Sequence, residues 1–173
     1  MIGQIRLRRL EEKDIPGMLE WMHDPECNRW FRFDAASMDE VKAKAFILSS
    51  FNETDRHYAV TDDTDEYLGT ISLEEIDREN GHAMYAVSMR SALRGTGAAL
   101  DATNRLLEIA FDELGLERVF LNVISANERA KKFYEKAGFR YEGRFRKHLY
   151  LRGEWQDWDW FGILKEEFYA GRN

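Results

Sequence analysis

The sequence predicts an α+β fold in which helices flank one central, mostly antiparallel, twisted sheet. Three observations predict it: the hydrophobic period changes repeatedly between two and about 3.6 residues, capping residues and glycines separate the segments, and 173 residues are enough for one core. Apolar residues make up 44% of the chain and no stretch is low in complexity, so every segment should fold. We therefore expect a single domain over residues 1–173.

The N-terminal segment predicts an edge strand and two helices. Residues 4–9 alternate apolar and polar side chains, which is typical of a strand. A helix begins near Pro16, because proline is accepted in a first helical turn, and Asp24–Pro25 then predicts a loop. Ser37 stands three residues before Glu40, a capping-box spacing that predicts a second helix. The apolar positions of that helix repeat at helical intervals and are Val41, Ala45 and Leu48.

Six further strands and two further helices are predicted in the rest of the chain. The strands are rich in β-branched and aromatic residues and comprise residues 57–60, 67–73, 81–89, 118–124, 139–151 and 154–164. A long amphipathic helix over residues 100–114 ends at Gly115, since glycine accepts the left-handed conformation of a helix C-terminus. Ser125 and Glu128 have capping-box spacing, which predicts a helix at about residues 126–137.

The charge and the cysteine content narrow the class of protein. The net charge of −7 argues against a general nucleic-acid binder, because phosphate binding needs a surplus of Lys and Arg. The acidic balance suits a cationic amine substrate, or it serves solubility alone. No apolar run approaches the roughly twenty residues that span a membrane, and the N-terminus lacks a signal-peptide core. Cys27 is the single cysteine, so we expect no internal disulfide and a cytoplasmic location.

Two motifs suggest a catalytic function. Residues 94–99, Arg-Gly-Thr-Gly-Ala-Ala, form a glycine-rich turn before the long helix. The unpaired N–H groups and the dipole of such a helix start can hold a diphosphate, although an ordinary strand-to-helix turn has a similar composition. Residues 127–139, Asn-Glu-Arg-Ala-Lys-Lys-Phe-Tyr-Glu-Lys-Ala-Gly-Phe, form a short helix that presents one phenol, Tyr134.

The order of these motifs along the chain resembles the GNAT superfamily of acyl-CoA-dependent N-acetyltransferases. The resemblance covers nearly the whole chain, and residues 141–157 are similar to the branch that contains ribosomal-protein N-terminal (alanine or serine) acetyltransferases. Spermidine and nucleotide-amino-sugar acetyltransferases share that similarity. The resemblance implies a GNAT fold and the transfer of an acetyl group from acetyl-CoA to a primary amine, by direct attack in a ternary complex.

The resemblance also implies site residues. The CoA diphosphate would be held by the backbone of Arg94, Gly95, Thr96, Gly97, Ala98 and Ala99. The pantetheine arm would contact Val87, Ser88 and Met89. Asn127 would hydrogen-bond that arm, Ala130 belongs to the same motif, and Lys131 would meet the CoA 3′-phosphate or lie on a solvated helix face. Tyr134 would protonate the departing thiolate, with core packing as the alternative.

The general base is not evident from the motifs. A group must remove a proton from the incoming amine, and Glu74 and Glu75, at the end of a predicted strand, are our candidates. His82 is a lesser candidate, and a solvated sheet edge is the alternative for each glutamate. His23 and Cys27 lack further ligands at a matching spacing, so we expect no metal.

Three groups of side chains bear on the acceptor and on partners. A basic run could bind an anionic substrate or lie along a sheet rim, and it comprises Arg144, Arg146, Lys147 and His148. Acidic residues nearby favour a cationic acceptor instead, and they are Glu154, Asp157 and Asp159. Aromatic residues near the first helix could line a substrate pocket, the core or a dimer contact, and they are Trp21, Trp30, Phe31 and Phe33. The final hairpin has enough aromatic surface for a homodimer contact, through Trp155, Trp158 and Trp160. A CoA-binding sensor without turnover and a protein-interaction domain are the alternatives of another class.

Overall fold

A computed structural model describes residues 3–172, which form a seven-stranded sheet with helices on both faces. The strands are β1 (Arg6–Arg9), β2 (Arg56–Thr61), β3 (Tyr67–Asp77), β4 (His82–Met89), β5 (Arg118–Ile124), β6 (Arg140–Leu151) and β7 (Glu154–Leu164). The helices are α1 (Ile15–His23), α2 (Pro25–Asn28), α3 (Glu40–Ser49), α4 (Ala98–Glu108), α5 (Glu128–Lys136) and α6 (Lys165–Ala170). The strand order is β1-β2-β3-β4-β5-β7-β6, and only the β4–β5 pair is parallel among the pairs of this sheet. The predicted α+β fold class is confirmed.

The two faces of the sheet carry different helices. On the face that we call the α4 face, residues of α4, α5 and α6 pack on a large core that includes Leu106, Phe161 and Phe168. On the opposite face, the α1 face, Trp21 of α1 packs on Tyr67 and donates a hydrogen bond of 2.8 Å to its hydroxyl. Because side chains alternate along a strand, the register of paired strands assigns each residue to one face. Within residues 3–172, no helix is long and apolar enough to cross a membrane.

The glycines that mark the helix ends lie where the sequence predicts. Gly97 begins α4 with φ of 88°, and Gly115 follows the π-type turn at the end of that helix with φ of 68°. Gly138 follows α5 with φ of 96°. All three conformations lie in the left-handed region, which favours glycine because it has no Cβ.

Two predicted helix starts are wrong by two residues. The N-cap of α3 is Asp39, which accepts a hydrogen bond from the N–H of Lys42, whereas Ser37 lies in a separate short turn. The apolar pattern of this helix was also a poor guide, because Val41 and Leu48 are 77% and 81% exposed. The N-cap of α5 is likewise Asn127 rather than the serine of the predicted capping box.

The sequence did not predict two short helices. Asp24–Pro25 does not form a loop but starts α2, because the carboxylate of Asp24 accepts a hydrogen bond of 2.9 Å from the N–H of Glu26. Proline then occupies the first helical position, where its missing N–H costs nothing. The C-terminal helix α6 follows β7 directly, and its buried Phe168 packs on Phe111 of the α4 face.

Candidate active site

A gap opens in the middle of the sheet between β4 and β5. The two strands pair only where His82–Met84 lies beside Arg118–Phe120, although β4 continues to Met89 and β5 to Ile124. Beyond that short pairing, the facing backbone edges have no strand partner in the described sheet. Strand edges of this kind offer N–H and C=O groups to an extended ligand. The gap therefore joins the two faces of the sheet and can take an extended chain.

The start of α4 offers backbone N–H groups on one side of this gap. No side chain caps the helix, and Gly95, Gly97 and Ala99 donate their N–H groups to no acceptor within residues 3–172. The N–H of Ala98 makes only a long bond of 3.4 Å, to the hydroxyl of Thr96. A Cβ added at either glycine would meet nothing within 4 Å, so the turn borders open space. Free N–H groups, the helix dipole and open space together fit a diphosphate.

Two other predicted cofactor residues have side chains engaged elsewhere in the protein. The guanidinium of Arg94 lies 3.6 Å from the sulfur of Cys27 and 4.0 Å from the carboxylate of Asp24, which ties the glycine-rich turn to α2. The ammonium of Lys131 donates to the carbonyl oxygen of Ser125 at 3.1 Å and lies 3.4 Å from the buried carboxylate of Asp159. The backbone N–H groups of both residues are engaged as well, since Arg94 donates to the carbonyl oxygen of Ser91 at 3.1 Å and Lys131 to that of Asn127 at 3.2 Å.

The side chain of Asn127 combines a capping role with a free donor. Its oxygen accepts the N–H of Ala130 at 3.2 Å, which caps α5. Its amide nitrogen has no acceptor in the part of the chain that the structure describes. The capping interpretation and the cofactor-contact interpretation are therefore compatible, as they use opposite ends of one amide.

Tyr134 lies where the gap begins, on the α4 face. Its ring centroid is 6.0 Å from that of Tyr85, the first β4 residue beyond the paired segment. The ring centroid of Tyr134 is also 6.3 Å from that of Phe161 on β7. Phe161 pairs with Leu121, the first β5 residue beyond the segment that pairs with β4. The hydroxyl has no hydrogen-bond partner within residues 3–172, and burial raises the pKa of Tyr134 to about 12. The phenol thus keeps its proton at neutral pH, as a proton donor must.

Glu74 lies at the same end of the gap but on the α1 face. It pairs with Met84, the last β4 residue that is joined to β5. Its carboxylate accepts a hydrogen bond of 2.8 Å from the hydroxyl of Ser72 and lies 3.9 Å from Nδ1 of His57. Burial lowers the pKa of His57, and the charge of Glu74 partly opposes that shift. Glu74, Ser72 and His57 form a half-buried polar group facing the gap region from the α1 face.

The structure separates the other two candidate bases from this group. Glu75 occupies a β-bulge with φ of 51° and is exposed, while its N–H donates to the carboxylate of Asp55. The ring of His82 packs on Phe120 at 5.5 Å, and its Nδ1 is buried without a partner among the described residues. Sequence reasoning missed Ser72 and His57, because no motif marks them and only the strand register brings them beside Glu74.

The predicted pantetheine strand borders the gap. Val87 and Met89 pack at the margin of the larger core, and Ser88 pairs with Thr70 on the other face. The exposed Ala86 lies beside them and leaves the edge of β4 accessible. The contacts predicted for Val87, Ser88 and Met89 require an extended backbone edge of this kind, and they stay predictions.

The wall of the α1 face is built by the segment after α2 and by the β6–β7 hairpin. The guanidinium of Arg32 lies over the indole of Trp158 at 4.6 Å, and Arg152 donates to the carbonyl oxygen of Asn28 at 2.8 Å. These contacts join two distant parts of the chain beside the open end of the gap. Trp160, on the same face, has a buried indole N–H without an acceptor within residues 3–172.

The predicted aromatic, basic and acidic groups divide between different roles. Trp21 belongs to the core, Phe31 stacks on Phe33 at 5.3 Å, and Trp30 lies under Arg29. Arg144 is not available to a substrate, because it donates to Asp159 at 2.7 Å on the α4 face. Asp159 is only 1% exposed and also accepts from Ser125, so it does not offer a free carboxylate to a cationic acceptor. The tryptophans of the β6–β7 hairpin contact other rings of that hairpin, Trp155 with Tyr150 and Trp158 with Trp160.

Metal and thiol chemistry have little support in the described residues. Within residues 3–172, no three side chains of His, Cys, Asp or Glu are grouped so as to hold a metal ion. Nε2 of His23 instead lies 2.6 Å from the carbonyl oxygen of Met38. Burial raises the pKa of the Cys27 thiol, which outweighs the nearby guanidinium of Arg94 and makes the thiol a poorer nucleophile.

Comparison with known proteins agrees with this geometry. Residues 4–140 match the family model described as an acetyltransferase (GNAT) domain. The spermidine N(1)-acetyltransferase of Vibrio cholerae is 28% identical, with 97% of each chain covered. The "Putative ribosomal N-acetyltransferase YdaF" of Bacillus subtilis is 27% identical, covering 95% of this chain and 93% of the other. A crystal structure of the Vibrio cholerae spermidine N-acetyltransferase in complex with CoA and spermine has a TM-score of 0.86 at 23% identity, covering 96% and 98% of the two chains.

Proposed function

The chain belongs to the GNAT acetyltransferase family, and from this premise we propose that it acetylates a primary amine by direct attack within a ternary complex. It is an acetyl-CoA-dependent N-acetyltransferase with a GNAT fold. Acetyl-CoA supplies an acetyl thioester, which an uncharged amine can attack without an acyl-enzyme. The residue roles and the identity of the amine are our proposals.

One observation carries the proposal: two candidate proton-transfer groups face the same gap from opposite faces of the sheet. Tyr134 lies on the α4 face at Tyr85, while Glu74 lies on the α1 face at the adjacent residue, Met84. Direct transfer needs a base for the amine and an acid for the thiolate, both within reach of the same tetrahedral intermediate. A gap that passes through the sheet allows both groups to reach one reacting centre.

The α4 face would hold the donor. The N–H groups of Gly95, Gly97 and Ala99 would bind the diphosphate, and the edge of β4 at residues 87–89 would bind the pantetheine arm through its backbone. The free amide nitrogen of Asn127 would donate a hydrogen bond to that arm. Tyr134 would then give its proton to the leaving sulfur, because burial keeps the phenol protonated.

The α1 face would receive the amine. Glu74 would accept a proton from the amine, and the hydroxyl of Ser72 would orient its carboxylate. His57 lies close enough to share that proton through a small rearrangement, since Nδ1 is 3.9 Å from the carboxylate. Because its pKa is lowered, His57 is neutral at the start of the reaction and can take up charge.

The relatives suggest different acceptors for this chain. The spermidine N(1)-acetyltransferase relative supports a polyamine, and the ribosomal N-acetyltransferase relative supports a protein N-terminal amine, the acceptor of the branch that residues 141–157 resemble. A nucleotide-linked amino sugar is the third candidate. That the chain is one domain, resides in the cytoplasm and forms a homodimer also stays proposed.

The test is thiol release from acetyl-CoA in the presence of single amines. Spermidine, a peptide with an N-terminal alanine and a nucleotide-linked amino sugar represent the three acceptor classes, and an N-acetylated peptide serves as the control without a free amine. We expect release that depends on a free amine. Binding of acetyl-CoA without release for any amine would instead support a CoA sensor, and absence of CoA binding would support a protein-interaction domain.

A further inference from the structure

Two arginines, one lysine and one histidine lie at the hairpin wall of the α1 face without ion-pair partners among the described residues. We call them the basic cluster: Arg32, Arg146, Lys147 and His148. None of the four forms an ion pair with a carboxylate in the part of the chain that the structure describes. Neighbouring Arg144 behaves differently, since it is paired with the buried Asp159 at 2.7 Å. In a chain with a net charge of −7, unpaired positive groups in one place need a separate explanation.

Two members of the cluster are held in place by one aromatic ring. The guanidinium of Arg32 lies 4.6 Å from the ring centroid of Trp158, and the ring of His148 lies 4.8 Å from it. Phe145 supports His148 from the same strand, at 5.2 Å. A guanidinium stacked on an indole loses little further freedom when its N–H groups bind an anion. Trp158 is 7% exposed, so it acts as a platform and not as a contact surface itself.

The other two members occupy a bulge at the same turn of β6. Residues 146–148 have no paired residue on β7, because the register of the β6–β7 pair shifts between Phe145 and Leu149. The N–H of Lys147 donates to the carboxylate of Asp157 at 2.7 Å, which holds the bulge in shape. An open cleft of about 590 Å³ is lined by Arg146, Lys147 and Asp157. The bulge therefore presents cations beside open space instead of burying them in a sheet.

The position of the cluster relates it to the gap. Trp158 pairs with Ile124 at the far end of β5, four residues beyond the last residue that pairs with β4, Phe120. At 3.3 Å per residue, the platform lies roughly 13 Å along the sheet from the start of the gap. It lies on the α1 face, where Glu74 also lies and where the amine would enter. A hydrogen bond spans about 3 Å of that distance, so a substrate with its amine at the gap can reach Arg32 with an anionic group roughly 10 Å from the amine.

We infer that the acceptor amine carries a phosphate or carboxylate group, which Arg32 and His148 bind at the Trp158 platform. This inference rests on the proposed function, because it takes the amine to enter from the α1 face. The guanidinium of Arg32 offers paired N–H groups that match the oxygens of either anion. A polyamine would instead place its second cation beside Arg32, which like-charge repulsion disfavours. The carboxylate that lines the adjoining cleft, that of Asp157, already accepts the N–H of Lys147.

The experiment compares amines that share one six-carbon chain. The probes are 6-aminohexyl phosphate, 6-aminohexanoate, the uncharged 6-amino-1-hexanol, and spermidine as the polycation. Thiol release gives kcat/KM for each, and calorimetric titration into CoA-saturated protein gives the affinity. We compare the wild type with Arg32→Ala and with the matched control Arg29→Ala, in which an exposed arginine at the same distance of 4.6 Å from an indole is removed.

We expect each anionic probe to exceed the alcohol by about 10-fold or more in the wild type, as one charge-assisted pair of hydrogen bonds allows. In Arg32→Ala the ratio of anionic probe to alcohol should fall to near one, and in Arg29→Ala it should not change. The phosphate and carboxylate probes show which anion is preferred. Equal values for anion and alcohol, a preference for spermidine, or equal effects of the two arginine variants would overturn the inference.

The two proposals fail in different ways. If the anionic probes bind through Arg32 but release no thiol, the anion site stands and the transfer function is wrong. If the alcohol and spermidine are acetylated and the anionic probes gain nothing, the transfer function stands and the anion site is wrong.

Discussion

At the β4–β5 gap, the two faces of the sheet carry different kinds of functional group. On the α4 face, the groups at the gap are backbone N–H donors and one partly buried phenol, that of Tyr134, among apolar side chains. On the α1 face, they are partly exposed ionisable side chains, Glu74, His57 and Arg32. An acetyl donor that stays the same throughout a family can be held by backbone N–H groups, which every substitution except proline keeps. An acceptor amine that differs between relatives must be recognised by side chains, and the side chains of the α1 face can differ from one relative to another.

The largest expected effect is on Tyr134 and separates chemistry from donor binding. Tyr134→Phe should lower kcat by about 100-fold or more, since general acid catalysis typically contributes at least this much. The affinity for acetyl-CoA should change little, because the ring remains. Steady-state kinetics and calorimetry measure the two quantities. The control is Tyr141→Phe, which removes a hydroxyl from a residue that is 55% exposed, and a variant Tyr134→Phe with normal kcat would remove the acid role.

The next effect distinguishes two neighbouring carboxylates on the α1 face. Glu74→Gln should lower kcat/KM for the amine by about 100-fold at pH 7, the lower end of the range that a general base contributes. Much of the loss should be recovered at pH 9.5, where more of the amine is already uncharged. Glu75→Gln is the matched control, because Glu75 is exposed on the bulge. Equal effects of the two variants on the pH 7 rate would contradict the assignment of Glu74.

A buried carboxylate on the α4 face should affect stability. Asp159 accepts hydrogen bonds from Ser125 and Arg144, and these hydrogen bonds, with Arg144 the largest cause, lower its pKa. Asp159→Asn should reduce the free energy of unfolding by about 2 kcal/mol at pH 7, less than for a fully buried pair because Arg144 is partly exposed.

The effect of Asp159 has a defined pH dependence. A depressed folded-state pKa contributes stability above the ordinary aspartate value, and this contribution is lost as the pH falls through the folded-state value. Urea unfolding should therefore show the difference between wild type and variant shrinking below about pH 4. Glu53→Gln, at an exposed position, is the control. A difference that stays constant down to pH 2.5 would mean that ionisation of Asp159 is not its cause.

The smallest expected effect concerns His57 on the α1 face. Burial lowers its pKa, with the charges of Glu74 and Asp55 opposing, so the unfolded chain binds a proton first as the pH falls. The stability contribution of His57 is then complete above the ordinary histidine pKa and decreases below it. Between pH 8 and pH 5 the free energy of unfolding should therefore fall more in the wild type than in His57→Gln. Urea midpoints measure this, with His23→Gln as the exposed control, and parallel losses in all three proteins would show that His57 is not responsible.

The two faces also differ in how far the sequence predicts them. Gly97, Gly115 and Gly138 lie where predicted, because a positive φ is a local requirement that glycine meets. The α5 motif likewise placed Tyr134 on a helix at the gap, and Asn127 beside it.

The α1 face depends on contacts between distant parts of the chain. Arg32 meets Trp158, and His57 meets Glu74, only through strand order and register, which no local pattern contains. The exposed Val41 of α3 shows the same limit, since its helical spacing predicted burial and tertiary packing left it outside. The charge pattern was equally ambiguous, because Arg144 and His148 belong to one basic run but have different contacts. Arg144 donates to Asp159, whereas the ring of His148 packs on Trp158.

The central claim is that the start of α4 binds acetyl-CoA through its backbone, and one titration tests it most directly. Acetyl-CoA is titrated calorimetrically into the wild type, Gly97→Asp and Gly115→Asp. Both glycines have a positive φ and open space for a Cβ, so the two variants carry similar strain and the same charge at opposite ends of one helical segment. We predict that Gly115→Asp binds like the wild type and that Gly97→Asp binds at least about 100-fold more weakly, since its carboxylate occupies the anion site. Equal binding by all three proteins would contradict the account.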